Sequence, residues 1–188
     1  MRIRTGLLII SLLSCLSTST ASDDEKILRR YVLTDHGSIQ LKTPDSWKHE
    51  LQQPPSHPAP TIVFKPKSGP TFEVLITPLR PVTKDGNFPN SEKIKQIVEK
   101  GVEHAKLRSI EKKIQVKELR GAVNQGYYFS ATDRTPEPGG YKYMTQGAIL
   151  IGDLIVMFTI LTNDGQDNVI TEALSMLKNS SHVNDSTT

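Results

Sequence analysis

Cysteine is nearly missing from this chain: one residue of 188, Cys15, lies within an apolar stretch near the N-terminus. A single thiol cannot close an internal disulfide, so the fold must be held by its own core. Thiolate metal sites and cysteine nucleophiles are excluded from the folded part with it. Uncompensated charge is also scarce. Lys and Arg number 23 against 20 Asp and Glu, and a balanced surface has no general pull on nucleic acid. No apolar run reaches the roughly 18 to 20 residues of a membrane-spanning helix. Gly-x-Ser-x-Gly and Gly-x-x-x-x-Gly-Lys are both absent, which removes the nucleophile elbow and the phosphate loop. No cofactor is implied.

What is present begins with a three-part address. Arg2 and Arg4 precede the apolar run from Gly6 to Leu16, and small polar residues follow from Ser17 to Ser22. A basic start, an apolar core and a small-residue exit make a secretory signal peptide over residues 1–21. Ser19-Thr20-Ala21 sets the preferred cut between Ala21 and Ser22. The alternative is a lipobox, Leu12-Leu13-Ser14-Cys15, in which Cys15 would carry a lipid anchor. Leu13 departs from that pattern, where a smaller or β-branched residue is usual. Removal of the signal takes away Arg2 and Arg4 but no acid, leaving 21 basic residues (23 − 2) against 20 acidic ones. The expected location is exported, periplasmic by preference, with a lipid-anchored envelope protein as the alternative.

The remaining chain fits one domain of roughly 165 residues. Residues 22–30 read as a polar lead-in, 31–178 as a single domain and 179–188 as a disordered Ser/Thr/Asn tail. Strands are predicted over 31–34, 38–41, 61–64 and 71–79, the last with Phe72, Val74 and Ile76 on one face. Gln52 to Pro60 is a proline-dense loop. Ser91 is the expected N-cap of a helix whose stripe runs through Ile94, Ile97, Val98, Gly101, Val102 and Ala105. Four strands follow, over 113–119, 123–132, 141–151 and 154–162. Gly152-Asp153 is a hairpin signal, so Gly147 to Leu161 reads as two buried strands despite its membrane-like composition. A second helix is expected after Asp164 as N-cap, with Ile170, Ala173, Leu174 and Leu177 on its apolar face. The fold class is α+β: a mostly antiparallel sheet with two main helices in a layered sandwich.

This order resembles the PsbP-like fold. The residues that carry the likeness are Gly37-Ser38-Ile39-Gln40-Leu41 before Pro44 and Trp47, then Phe72-Glu73-Val74-Leu75-Ile76 and the Ser91 helix. Leu119-Arg120-Gly121, Gly126-Tyr127-Tyr128-Phe129 and Phe158-Thr159-Ile160-Leu161 complete it. The likeness spans roughly Tyr31 to Leu177 and consists of element order, without a sharp motif. It implies an architecture, and no one activity. Members with known roles act through partner binding, which leans the expectation away from catalysis.

Candidate chemistry is sparse. His36, His49, His57, His104 and His182 show no metal-ligand spacing, and solvent-exposed histidines are the simpler reading. Asn163 to Asp167 lacks the ligand alternation of a calcium loop and reads as a turn with a helix cap. Asn179-Ser180-Ser181 and Asn184-Asp185-Ser186 fit glycosylation acceptors, meaningful only in a eukaryotic secretory source. Lys106, Arg108, Lys112, Lys113 and Lys117 form a basic stretch, by default a solvated edge and otherwise a contact for an anionic head group or acidic partner. The loop Asp133 to Gly140 is longer than a hairpin needs and is flanked by tyrosines. Tyr128, Arg134, Tyr141 and Tyr143 are therefore the predicted partner-binding residues. The expected function is a non-enzymatic binding or accessory domain acting through a protein partner in the envelope. A small-molecule or lipid-binding module, or a hydrolase with a site built from non-sequential residues, is the alternative.

Overall fold

The computed structural model describes residues 25–34, 37–53, 59–81 and 88–184. The signal segment, with Cys15, Ala21 and Ser22, lies outside the described residues, as do His36, His57 and the glycosylation acceptor's Asp185 and Ser186.

Among the described residues, ten strands and two helices form an α+β fold in which every strand pairing is antiparallel. The order is β1 (Lys26–Val32), β2 (Ser38–Pro44), β3 (Trp47–Gln52), β4 (Thr61–Pro66), β5 (Glu73–Leu79), α1 (Ser91–Lys106), β6 (Lys117–Arg120), β7 (Gln125–Thr132), β8 (Tyr143–Ile151), β9 (Leu154–Thr162), α2 (Asp167–Lys178) and β10 (Ser181–Val183). A large sheet runs β3-β4-β5-β9-β8-β7-β6, and a small one runs β1-β2-β10.

The membrane-like run is indeed a hairpin of β8 and β9. Gly152 takes a φ of 54° in the turn, a conformation that costs most side chains energy. Among the described residues no helix is long and apolar enough to cross a membrane.

Strand alternation gives the large sheet two different faces. On β9, Leu154, Val156, Phe158 and Ile160 point to one side, into a core shared with α2 and the small sheet. Ile155 and Met157 point to the other, toward α1. Helix α1 lies over β7 and β8 and buries Ile94, Val98 and Val102. Helix α2 packs on β2, β9 and β6 and buries Val169, Ala173, Met176 and Leu177.

Several boundaries differ from expectation. Lys26 to Arg30, expected as a lead-in, belongs to β1, where Arg29 Nε donates to Thr43 Oγ1 and Arg30 Nε to Ser38 Oγ, both at 2.8 Å. Ser181–Val183, expected in the tail, forms β10 against β2. The strand expected from Lys113 begins at Lys117, because Ile114 turns into the core beneath α1. The N-cap of α1 is Asn90, whose side chain accepts from Lys93 N at 3.0 Å; Ser91 Oγ instead meets Tyr127 Oη at 3.1 Å. Gln166 occupies the N-cap position of α2 and Asp167 its first turn, while Asp164 is drawn to Lys142 and Tyr143.

Candidate functional site

The face under α1 is only partly roofed. Between the C-terminal half of α1 and the sheet lies a cleft of about 330 Å³. Its helix wall is Gly101, His104, Ala105 and Arg108; its sheet floor is Met144, Gln146 and Leu161; Tyr141 and Tyr143 stand at one end. A second hollow of about 280 Å³ shares Gly101, His104 and Gln146 and extends toward Phe129 and Met157. The two make a groove along one flank of the helix.

Small residues on the stripe create it. At Gly101 a Cβ would stand 3.1 Å from Phe129 Cε1 and 3.4 Å from Gln146 Oε1, so the helix approaches the sheet closely there. Ala105, one turn on, fills little of the space below the next turn. The cleft is thus an under-packed continuation of the α1 core.

Polar groups at the rim are matched internally. Arg108 pairs with Asp133 at 2.9 Å. Lys142 Nζ reaches both carboxylate oxygens of Asp164, at 2.9 and 3.1 Å, and Tyr143 Oη donates to the same carboxylate at 2.6 Å. Those donors hold Asp164 below the usual carboxylate range, the Tyr143 hydroxyl contributing most, and the Asp164 hydrogen bond raises Lys142 in turn. The Lys142 ammonium also stands 5.1 Å from the centroid of the Tyr143 ring. Burial, then the nearby Glu73 charge, raise the Tyr141 phenol. His104 Nδ1 lies 2.9 Å from the Lys100 carbonyl, which assigns the proton to Nδ1.

The loop behind the cleft is tied down. Ser109 and Asp133 form a bridge, Ile110 N donates to Thr132 O at 3.1 Å, and Arg134 N donates to Arg108 O at 2.8 Å. Glu111 folds inward and accepts from the Ser109 hydroxyl, from Thr132 N and from Thr132 Oγ1. Burial alone would raise its pKa; these hydrogen bonds outweigh that and bring it down to about 2.

The four predicted contact residues separate. Tyr141 and Tyr143 line the cleft. Tyr128 packs against the core on the opposite face, with the Lys117 ammonium 6.0 Å from its ring centroid. Arg134 donates to the Ser109 carbonyl at 2.8 Å, outside the cleft lining. His104 was read from the sequence only as a solvent-exposed histidine, and Gln146 and Leu161 were not among the predicted contact residues; Gly101 and Ala105 one turn apart on an apolar stripe are the signal that could have found them.

Other histidines lie elsewhere. His49 Nε2 sits 3.2 Å from Arg29 Nη1, and its ring meets Tyr31 edge-on at 5.4 Å; burial, then the Arg29 charge, lower its pKa. Nδ1 of His182 accepts from Asp153 N at 3.3 Å. Among the described residues no three His, Cys, Asp or Glu side chains are grouped to hold a metal ion. No family profile, no curated protein and no solved structure matches this chain.

Proposed function

We propose that this is an exported, non-catalytic binding domain that engages a protein partner in the cell envelope through the cleft beside α1, with Tyr141 and Tyr143 as contact residues. One observation carries the reading: the half-open groove has an apolar floor, and its charged rim is neutralised from within. Such a surface can take an apolar side chain without leaving a buried charge unpaired. Its chemistry favours binding over reaction. The one serine in the lining, Ser109, donates to Glu111, and His104 is held by a backbone carbonyl. The PsbP-like resemblance points the same way, toward a domain that works through partners. Export rests on the signal pattern, and intact mass separates its two exits: a chain beginning at Ser22, or one beginning at lipid-bearing Cys15.

The test is a photo-crosslinking amino acid placed at Tyr141 in cells exporting the protein, with Tyr128 as the control on the opposite face. A protein adduct specific to position 141 is expected. Equal labelling at both positions, or none at 141, would refute the reading.

The size of the cleft favours one second reading. A volume of about 330 Å³ lies at the lower edge of small-molecule pockets, roughly 300 to 1,000 Å³. Native mass spectrometry that finds a bound small molecule or lipid, displaced in Gly101→Leu, would establish that ligand in place of a protein.

A further inference from the structure

Beside the cleft, the segment leaving α1 holds two large aliphatic side chains in solvent. Leu107 is 78% exposed and Ile110 58%. Fraying does not account for this. The backbone between them is bonded to Ala105, Thr132 and Arg134, Ser109 is buried, and Glu111 is fastened inward to Thr132. Holding apolar groups outward on a fixed backbone exposes them to water in every molecule.

Cations surround them. Lys106, Arg108, Lys112 and Lys113 all lie within the same short segment and are exposed. Lys106 shares Glu103 at 2.7 Å and Arg108 shares Asp133 at 2.9 Å, both at the surface. Lys112 and Lys113 make no ion pair among the described residues. The one acid within the segment, Glu111, turns its carboxylate toward Ser109 and Thr132. Whole-chain charge balance therefore conceals a local excess of positive charge with protruding aliphatics at its centre.

We infer that this knuckle, Lys106 to Lys113, is a docking surface for an anionic phospholipid bilayer. The aliphatics enter the interface between head groups and acyl chains while the lysines stay among the phosphates, the division of labour of surface-bound amphipathic segments. An acidic protein could pair with the lysines, but protruding aliphatics would then need a matching concave pocket. A deformable lipid surface needs none. Because Arg108 and Ser109 also line the cleft, docking would bring its mouth close to the membrane.

The test uses the full chain with Cys15→Ser and an environment-sensitive fluorophore on a cysteine replacing Leu107. A companion carries the probe at Val123, which is 89% exposed in the turn between β6 and β7, at the opposite end of β7 from Thr132. With vesicles of phosphatidylcholine and phosphatidylglycerol, emission from position 107 should shift to the blue, and emission from 123 should not. The shift should vanish with pure phosphatidylcholine and at high salt. In flotation, Lys112→Gln/Lys113→Gln should lower partitioning roughly 25-fold, at about fivefold per lysine. Leu107→Ser/Ile110→Ser should lower it about tenfold or more, with thermal unfolding unchanged because both positions are exposed. Flotation with a silent probe at 107 would assign binding to another segment and overturn the inference. So would absence of flotation, or equal affinity for neutral vesicles.

Discussion

The two faces of the large sheet are built from the same strands to opposite ends. One is sealed along most of its length by α2 and the small sheet over a continuous core in which Phe64, Val74, Ile149, Phe158 and Leu177 are almost fully buried, with a hollow of about 330 Å³ at the end near Thr145, Thr162 and Asp167. The other is roofed by α1 chiefly over β7 and β8, and beside that roof lies the cleft. Adjacent residues of β9 therefore live in different surroundings: Phe158 is 2% exposed, while Met157 borders the hollow under α1. The two sides of one strand thus differ in how fully they are packed. The sealed face carries the larger core, and the open face a smaller one, with Ile94, Val98 and Phe129, beside the cleft.

Neighbouring substitutions on β9 test this most sharply. Phe158→Ala should lower unfolding free energy by about 3 to 5 kcal/mol, since it leaves a cavity in a close-packed core. Met157→Ala, one residue along and facing the hollow, should cost only about 1 kcal/mol, because some of its side chain is already unpacked. Urea denaturation of the two variants provides the comparison; equal costs would abolish the distinction between faces.

A smaller effect is expected where the sealed face is fastened at its edge. Asn124 is buried, and its amide donates to the carbonyls of Ser180 at 2.8 Å, Lys178 at 3.1 Å and Leu177 at 3.4 Å. These are carbonyls at the C-terminus of α2 and in the turn to β10. Asn124→Ala should cost about 2 kcal/mol by leaving them unsatisfied. Hydrogen exchange should quicken in β10 and the last turn of α2 before it quickens under α1.

The smallest effect depends on pH and lies at Glu111, which borders a hollow with Ser130, Thr145 and Ile170. Glu111 has its pKa lowered to about 2 from an ordinary 4.5. The carboxylate's contribution is therefore complete above the unfolded-state value and is lost as pH falls through the folded-state value. Thermal unfolding followed from pH 4.5 to pH 2 should show a decline in wild type that Glu111→Gln flattens. An identical decline in both would place the acid sensitivity elsewhere.

What could be read in the sequence follows the same division. The β8–β9 hairpin and the stripe of α1 were legible because central strands and core helices repeat apolar residues with a fixed period. Strands β3 and β10 escaped and β1 was read only at its last two residues, Tyr31 and Val32; each lies at a sheet edge. An edge strand carries charge and polarity that discourage pairing with other chains, and those residues erase the apolar alternation. Trp47-Lys48-His49-Glu50-Leu51-Gln52 illustrates this: only its tryptophan is buried. The cleft was half legible. Tyr141 and Tyr143 were found because a long loop drew notice to them; Tyr128 packs on the opposite face, and Tyr143, of the same strand parity, reaches the cleft only because it stands at the end of β8. His104 and Gln146 meet only after helix and sheet are packed, so no local pattern announces their approach.

The small sheet carries a mechanical consequence. Strands β1 and β10 flank β2 on either side and both run antiparallel to it, so they run parallel to each other. Lys26 begins β1 opposite Pro44, whereas Val183 ends β10 opposite Ser38, at the other end of β2. Tension between residues 26 and 183 would pull the two outer strands in opposite senses along their length. The hydrogen bonds to β2 would then bear the load together in shear, where a hairpin pulled from its open end would unzip bond by bond. A domain tethered on one side and gripped by a partner on the other would resist being drawn open.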